Sequence, residues 1–200
     1  MTTVLDIEGA LDALGTGGVV GLPTDTVYGL AASLAHPLAV AALFQMKGRP
    51  TTVALPVLVS SVVQIEELGV TWTRRARALS DALWPGALTV VVAAPPSLSF
   101  LVGSSTETVG FRCPHDELLL NLLERSGPLA LTSANAHGKS PCESASQLLK
   151  AFEGRTELSG VVDDGLRTGD VSTVVDISQS EWRIVRQGAT SSAALSVLLD

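Results

Sequence analysis

The chain has 200 residues, of which 46% are hydrophobic and only 16% charged. This composition excludes a disordered protein, and the length suffices to bury one substantial core. No apolar run reaches the ~18 residues that a membrane-spanning helix needs, and the first residues lack the basic and apolar regions of a signal peptide, so we expect a cytoplasmic protein. The net charge of −7 disfavours nucleic-acid binding, which depends largely on neutralised phosphates.

Strand-like and helix-like segments alternate along the chain. We predict strands at 19–22, 56–59, 88–93, 108–113, 129–132, 160–163, 173–177 and 182–185. We predict helices near 6–15, 37–46, 72–83, 116–125 and 143–152, with a terminal helix at 191–199. This interleaving is typical of α/β proteins, so we expect a single α/β domain over residues 1–200, with a twisted mixed β-sheet and flanking helices.

The first cluster of polar residues follows the first predicted strand. Residues 18–22 are apolar and end before Pro23, so the polar residues 24–26 come at a strand end, where binding loops usually lie. Lys47 and Arg49 then follow the second predicted helix. Two cations at a helix end either complement the helix dipole or bind a charged ligand, and both interpretations stay open for this pair.

Residues 133–140 differ by one position from the phosphate-binding pattern Gly-x-x-x-x-Gly-Lys-Ser. They follow a predicted strand, as such a loop does, but a serine replaces the first glycine and Pro141 comes directly after the pattern. We therefore expect hydroxyl and amide contacts to a nucleotide from Ser133, Asn135 and Ser140, and not a true P-loop. An ordinary polar turn is the alternative.

Residues that bind metals do not form a recognised pattern in this sequence. Cys113 and Cys142 have no histidine or second cysteine at metal-ligand spacing, and we expect both to be packing residues. Asp163 and Asp164 could hold Mg²⁺, but they precede Gly165, and Asp-Gly is a strong turn signal. We predict a turn there, and no metal site made of protein ligands alone.

Three arginines lie close together in residues 73–77, at the start of a predicted helix. They could form a phosphate-binding patch on an otherwise acidic protein. A solvent-exposed helix face is the interpretation that we favour.

Six motifs resemble the YrdC-like family in their order and spacing: Pro23-Thr-Asp-Thr-Val-Tyr-Gly29, Lys47-Gly-Arg-Pro50, Trp84-Pro-Gly-Ala-Leu-Thr89, Ser133-Ala-Asn135, Ser172-Thr-Val-Val-Asp176 and Arg186-Gln-Gly188. Each motif alone would be weak evidence, but together they extend over nearly the whole chain. The resemblance implies a YrdC-like α/β fold, without the extra C-terminal domain of the longer members. It also implies synthesis of threonylcarbamoyl-AMP from L-threonine, bicarbonate and ATP, for the threonylcarbamoyladenosine modification of tRNA.

The resemblance also implies roles for individual residues. The catalytic residues would be Lys47 and Arg49. The ATP-binding residues would be Arg49, Thr108, Ser133, Asn135, Ser140 and Arg186. The threonine-binding residues would be Thr26, Arg112 and Ser172. Mg²⁺ would bridge the ATP phosphates, and tRNA-modifying proteins would be the partners, while direct RNA binding is not expected.

These residue types suit the implied reaction. A site of Thr, Ser, Lys and Arg, without a Ser-His-Asp or Cys-His arrangement, suits substrates that react with each other while the protein positions them and stabilises charge. Arg112 would hold the carboxylate of threonine, although a structural salt bridge at a strand end is its alternative role. Many members of the synthase branch carry an asparagine and a histidine where this chain has Val53 and Leu58, so strict threonine selectivity is not implied.

Two other functions fit parts of the sequence. Similar domains occur in hydrogenase-maturation carbamoyltransferases, which form a carbamoyl adenylate, but the zinc-finger-like and acylphosphatase parts of those proteins are absent here. Some relatives carry a basic surface that suits double-stranded RNA. The net charge of −7 and the scarcity of aromatic residues argue against an RNA-binding module.

Overall fold

The computed structural model describes residues 3–48, 53–135 and 140–199. Within these ranges one sheet of ten strands carries eight helices. The strands are β1 (Thr3–Leu5), β2 (Val19–Leu22), β3 (Gly29–Ser33), β4 (Val57–Leu58), β5 (Leu88–Ala93), β6 (Thr108–Arg112), β7 (Leu129–Ser133), β8 (Leu158–Val162), β9 (Thr173–Asp176) and β10 (Arg183–Arg186). The helices are α1 (Ile7–Gly15), α2 (Pro37–Lys47), α3 (Val62–Glu67), α4 (Arg74–Leu83), α5 (Pro96–Leu101), α6 (Glu117–Ser126), α7 (Ala145–Ala151) and α8 (Ser192–Leu199).

The strands lie in the order β1-β8-β2-β3-β7-β4-β6-β5-β9-β10. Four neighbouring pairs are parallel, namely β1 with β8, β8 with β2, β4 with β6 and β5 with β9, and the other pairs are antiparallel. The predicted mixed α/β sheet is therefore confirmed. Each predicted strand and helix is present with ends shifted by at most two residues, whereas β1, β3, α3 and α5 were not predicted. No helix in the described ranges is both long and apolar enough to cross a membrane.

Helices cover both faces of the sheet in its first half, from β1 to β7. On one face, α1 and α6 pack Leu14 and Leu122 into a cluster with Val20 of β2. On the other face, α2 packs against β3, and Leu148 of α7 lies close to Gly21 of β2. Because side chains alternate along a strand, β2 contributes to both layers. This half of the molecule is a closed three-layer structure.

The second half of the sheet, from β4 to β10, is closed on one face only. Helices α4, α5 and α8 contribute to the core on the face that carries Leu88, Val90 and Phe111. The alternate residues of the same strands, among them Thr89 and Arg112, line a cavity on the opposite face. Strands β5 and β6 thus contribute residues to the hydrophobic core on one face and to the cavity lining on the other.

The connection from β8 to β9, residues 163–172, is called the strap below. Six strands lie between β8 and β9, which would separate them by about 34 Å on a flat sheet. A fully extended connection of this length would reach about 36–40 Å. The strap is not fully extended, because it turns at Gly165, where φ is 75°. The sheet must therefore curve so that the strap can join its two ends.

The end of the strap packs tightly against Gly188. A Cβ atom at Gly188 would come within 2.1 Å of the carbonyl oxygen of Val171 and 2.5 Å of the carbonyl carbon of Ser172. These are backbone atoms, which cannot rotate away as a flexible side chain can. Position 188 therefore requires glycine, because its backbone lies too close to the backbone of Val171 and Ser172 for a Cβ atom to fit.

We expect Gly188→Ala to lower the free energy of unfolding by about 1–3 kcal/mol, the usual effect of overpacking. Urea denaturation followed by circular dichroism measures this change. Gly15→Ala, at the end of α1, is the matched control, because a Cβ atom there meets nothing within 4 Å. The control should be neutral or stabilising by up to ~1 kcal/mol. Equal unfolding midpoints for the two variants would contradict the packing argument.

Candidate functional site

A cavity of about 500 Å³ occupies the open face of the sheet. Its lining includes six of the residues singled out from the sequence, namely Thr26, Thr108, Arg112, Ser133, Ser172 and Arg186. A larger and more open groove of about 990 Å³ lies beside α7, and its lining includes none of the predicted site residues. The smaller cavity is therefore the candidate site.

The remaining predicted residues lie around this cavity or outside the described residues. Lys47 and Asn135 contact Ser133, which is in the cavity wall. Ser140 is exposed, next to Pro141, which also lines the cavity. Arg49 lies outside the described residues, so its predicted role stays a prediction.

Lys47 joins the end of α2 to the segment after β7. Helix α2 ends at Lys47 because Gly48 adopts a left-handed conformation with φ of 59°. Lys47 is only 5% exposed, and its Nζ donates to the carbonyl oxygen of Ser133 at 2.6 Å and to Oδ1 of Asn135 at 2.8 Å. A buried ammonium group needs such acceptors, because burial without them is costly. The two motifs that contain Lys47 and Ser133 are therefore held together directly.

The loop between β2 and β3 fixes the position of Thr26. The hydroxyl of Thr24 donates to the carbonyl oxygen of Val27 at 2.6 Å and accepts the backbone N–H of Thr26 at 3.1 Å. The two threonine hydroxyl oxygens are 2.9 Å apart. Threonine hydroxyls often stabilise turns in this way. Thr26 is thereby held as a buried polar group in the cavity wall.

Arg112 ends β6 and is paired inside the site. It is 7% exposed, and its Nη2 donates to Oδ1 of Asp25 at 2.6 Å, while its Nε donates to the carbonyl oxygen of Gly86 at 3.0 Å. Burial lowers the pKa of Arg112 by more than the carboxylate of Asp25 raises it. Arg112 forms a salt bridge and also lines the cavity, so its two predicted roles are compatible, because a guanidinium has five N–H donors.

Arg186 holds Ser172 in the lining of the cavity. Its Nε and Nη2 donate to the carbonyl oxygen of Ser172 at 3.1 and 2.8 Å, and Nη2 also donates to the Ser172 hydroxyl at 2.9 Å. The Ser172 hydroxyl lies 3.1 Å from that of Thr89. Partial desolvation lowers the pKa of Arg186, and the positive charge of Arg112 lowers it further. Two guanidinium groups thus act on one cavity, which favours anionic ligands.

Residues Asp163, Asp164 and Gly165 form a turn, as predicted. The carboxylate of Asp163 accepts the backbone N–H of Gly165 at 3.2 Å. The hydroxyl of Tyr28 donates to the carbonyl oxygen of Gly165 at 2.8 Å and accepts the N–H of Asp164 at 3.2 Å. The described ranges contain no group of three or more His, Cys, Asp or Glu residues arranged to hold a metal ion. Asp163 holds this turn at the start of the strap, and Asp164 pairs with Arg167 further along it.

Both cysteines are buried, as predicted. Burial raises the pKa of Cys113 to about 11, and it also raises the pKa of Cys142. The thiols therefore stay protonated at neutral pH, which suits packing residues better than nucleophiles.

The arginines of α4 mainly contact the protein itself. Nη2 of Arg77 donates to Glu66 at 2.8 Å, and Nη1 of Arg75 donates to the carbonyl oxygen of Ser180 at 2.8 Å. These contacts support the interpretation as an ordinary helix surface over a phosphate-binding patch.

Asp25 and the apolar part of the cavity lining were not assigned from the sequence. Asp25 lies inside a motif that was recognised, but nothing in the sequence showed that it would meet Arg112. Val53 and Leu58, which depart from the synthase pattern, both line the cavity. Apolar side chains thus line the cavity at the two positions where the sequence departs from the synthase pattern.

The chain is similar in sequence and fold to several known proteins. The family model Sua5_yciO_yrdC, described as "Telomere recombination", matches residues 12–188. A protein of Mycobacterium leprae is 39% identical, over 96% of this chain and 87% of its own length. The threonylcarbamoyl-AMP synthase of Bacillus subtilis is 34% identical, over 90% of this chain and 53% of its own length. The solved structure of P. abyssi Sua5 complexed with L-threonine superposes with a TM-score of 0.89 at 30% identity, over 99% of this chain and 60% of that one.

The salt bridge between Asp25 and Arg112 generates a stability prediction. We expect Asp25→Ala to lower the free energy of unfolding by about 3–5 kcal/mol, because it leaves a buried guanidinium without its counter-charge. Glu8→Ala is the control, since Glu8 pairs with Arg125 on the surface. The control should leave the unfolding midpoint almost unchanged. Thermal unfolding of both variants measures the difference. Similar decreases in stability would show that the pair of Asp25 and Arg112 contributes no more than a surface pair.

Proposed function

This chain belongs to the Sua5/YciO/YrdC family, and we propose that it is a threonylcarbamoyl-AMP synthase. One observation supports this most: Thr26, Arg112 and Ser172 line one cavity, next to the contact between Lys47 and Ser133. These residues come from separate parts of the chain and meet at one cavity, where they would form an amino-acid site next to a phosphate site. We also propose that tRNA-modifying proteins use its product, threonylcarbamoyl-AMP.

Threonine would bind with its carboxylate at Arg112. The guanidinium keeps N–H groups beyond those given to Asp25 and Gly86, and Thr26 and Ser172 offer hydroxyls on the same cavity. The related P. abyssi Sua5 has been solved with L-threonine. In this orientation the amine faces the interior of the cavity, where a second substrate can reach it.

The reaction would proceed in two steps. The amine of threonine attacks the carbon of bicarbonate and forms a carbamate, with loss of water. A carbamate oxygen then attacks the α-phosphorus of ATP, the bond to the β-phosphate oxygen breaks, and pyrophosphate leaves with the bonding electrons. Threonine, bicarbonate and ATP thus give threonylcarbamoyl-AMP, pyrophosphate and water.

The protein would contribute position and charge. Negative charge develops on the phosphate oxygens during transfer, and fixed cations in a site that excludes water stabilise it. Arg186 is at the cavity, Lys47 lies just behind Ser133, and Arg49 follows α2 in the sequence. Thr108, Ser133, Asn135 and Ser140 would hold the nucleotide.

We propose that Mg²⁺ enters with ATP. Mg²⁺ in nucleotide sites is commonly held by substrate phosphates, waters and few protein ligands. The described lining offers hydroxyl oxygens, among them those of Thr26, Ser133 and Ser172, so phosphates and waters would supply most of the Mg²⁺ ligands. Mg²⁺ would supply charge neutralisation for the phosphates.

Pyrophosphate release should require bicarbonate as well as threonine and ATP. If the carboxylate of threonine attacked ATP, the product would be threonyl-AMP and bicarbonate would have no effect. We therefore expect ¹⁴C from bicarbonate to appear in the AMP adduct, detected by chromatography. Equal turnover in CO₂-free buffer, or an adduct without label, would refute both the proposed orientation and the function. Valine should support slower release than threonine, since the site offers hydrogen bonds to a hydroxyl.

Arg112→Ala should raise the KM for threonine by about 10- to 100-fold, the effect of losing a charge-assisted hydrogen bond. The KM for ATP should change much less. Steady-state pyrophosphate release measures both constants, and the melting temperature shows whether the variant is folded. Arg112→Lys keeps the positive charge but loses the planar guanidinium with its paired N–H donors. Its KM for threonine should therefore lie between those of the wild type and Arg112→Ala. A purely structural salt bridge would instead give reduced stability with an unchanged KM for threonine in the folded fraction.

A further inference from the structure

Arg167 ties the middle of the strap to two other parts of the molecule. Its side chain is 20% exposed, and Nη2 donates to Asp116 at 3.3 Å and also to the carboxylate of Asp164. Its backbone N–H donates to the carbonyl oxygen of Glu143 at 2.8 Å. Asp116 caps α6, so a single residue joins the strap to the start of that helix and to the segment before α7.

The strap contacts the threonine side of the site directly after Arg167. The backbone N–H of Gly169 donates to the carbonyl oxygen of Thr26 at 2.8 Å. A Cβ atom at Gly169 would lie 2.5 Å from the carbonyl oxygen of Asp25, so the two backbones are in close contact. The strap then reaches Ser172, whose hydroxyl faces the cavity and accepts from Arg186. The position of the strap thus affects both hydroxyls that the proposed threonine site uses.

Stability alone does not explain this arrangement of Arg167. Among the described residues, the buried Nε of Arg167 has no hydrogen-bond partner, which opposes folding. The pair with Asp116 is largely buried and contributes little net stability, because desolvation offsets its attraction, and the pair with the half-exposed Asp164 contributes little as well. The planar guanidinium does, however, impose a fixed geometry on the groups that it joins.

We propose that Arg167 is a positioning residue for the threonine half of the site. It holds the strap against α6, and so it keeps Gly169 on Thr26 and Ser172 directed into the cavity. The inference rests on the proposed function, because threonine is the ligand that Thr26 and Ser172 would share. In the nucleotide half, the contact between Lys47 and Ser133 lies outside the strap and is expected to stay intact without Arg167, whereas Arg186 contacts Ser172 and is expected to move with it.

Steady-state kinetics of Arg167→Ala test this role. The KM for threonine should rise about three- to tenfold, as expected when one or two hydrogen bonds are misplaced. The KM for ATP should rise less than the KM for threonine, because the contact between Lys47 and Ser133 stays in place, and kcat should also change less than the threonine KM. Arg125→Ala is the matched control, because it removes another arginine–carboxylate pair, on the surface. It should leave both constants unchanged.

Two conservative variants separate positioning from general destabilisation. Arg167→Lys keeps the charge and should recover part of the threonine affinity. Asp116→Asn removes the charge that faces Arg167 but keeps an oxygen for capping, since Oδ1 of Asp116 accepts the N–H of Leu119 at 2.9 Å. It should raise the threonine KM in the same direction as Arg167→Ala. If Arg167→Ala does not fold, the KM for threonine is measured on Arg167→Lys and Asp116→Asn instead.

Combining Arg167→Ala with Ser172→Ala tests whether the effect passes through the strap. Each single variant raises the threonine KM by some factor. If Arg167 acts by placing Ser172, the factor for the double variant should be well below the product of the two single factors. Strictly multiplicative effects would contradict the proposal.

Amide hydrogen exchange gives a readout that does not depend on catalysis. In Arg167→Ala, the amides of residues 169–172 should exchange faster than in the wild type, while those of α2 and β7 should not change. If the wild type released no pyrophosphate with threonine, the proposed function would fail, and exchange would still test the strap. Unchanged exchange at residues 169–172, or an unchanged threonine KM in an active enzyme, would overturn the role of Arg167.

Discussion

The alternation of side chains along β5, β6 and β9 is the constraint on which the site depends. Neighbouring residues of a strand point to opposite faces, so Phe111 is buried in the core while Arg112 lines the cavity. The same relation holds for Leu88 and Thr89. Helices cover the apolar face, and the polar face stays open. A shift of one residue in the register of β6 would bury a charge and expose an aromatic ring, so the fold and the site specify each other.

Charge in the cavity is arranged before any substrate binds. The protein is acidic overall, with a net charge of −7, yet Arg112 and Arg186 both line the cavity and Lys47 lies just behind it. Each is held by carbonyl, hydroxyl or carboxylate oxygens from other segments, which offset the cost of burial. Fixed cations of this kind need little reorganisation when a phosphate develops charge, and such preorganisation is a large part of catalysis in many enzymes.

The sequence predicted most of the fold, and the exceptions have physical reasons. Gly29–Ser33 was not predicted as a strand, because four of its five residues are Gly, Ala or Ser, but in the structure it is a buried strand between β2 and β7. Helices α3 and α5 have six residues each, too few for a helical period to be recognised. Periodicity could place Lys47 at a helix end but could not bring it to Ser133. The motif resemblance assigned both residues to one site, but their contact and the pairing of Asp25 with Arg112 depended on tertiary structure and had no signal in the sequence.

The course of the strap has a consequence for how the polypeptide reaches its native state. The strap joins the two ends of the sheet, and its contact with Thr26 connects residues that are far apart in the sequence. Contacts of this kind cost much loop-closure entropy, so they form after local structure has been gained and they slow folding. The threonine half of the cavity is therefore expected to assemble among the last parts of the molecule. A newly synthesised chain would therefore complete this cavity only after Arg186, the last of its lining residues in the sequence, has been made.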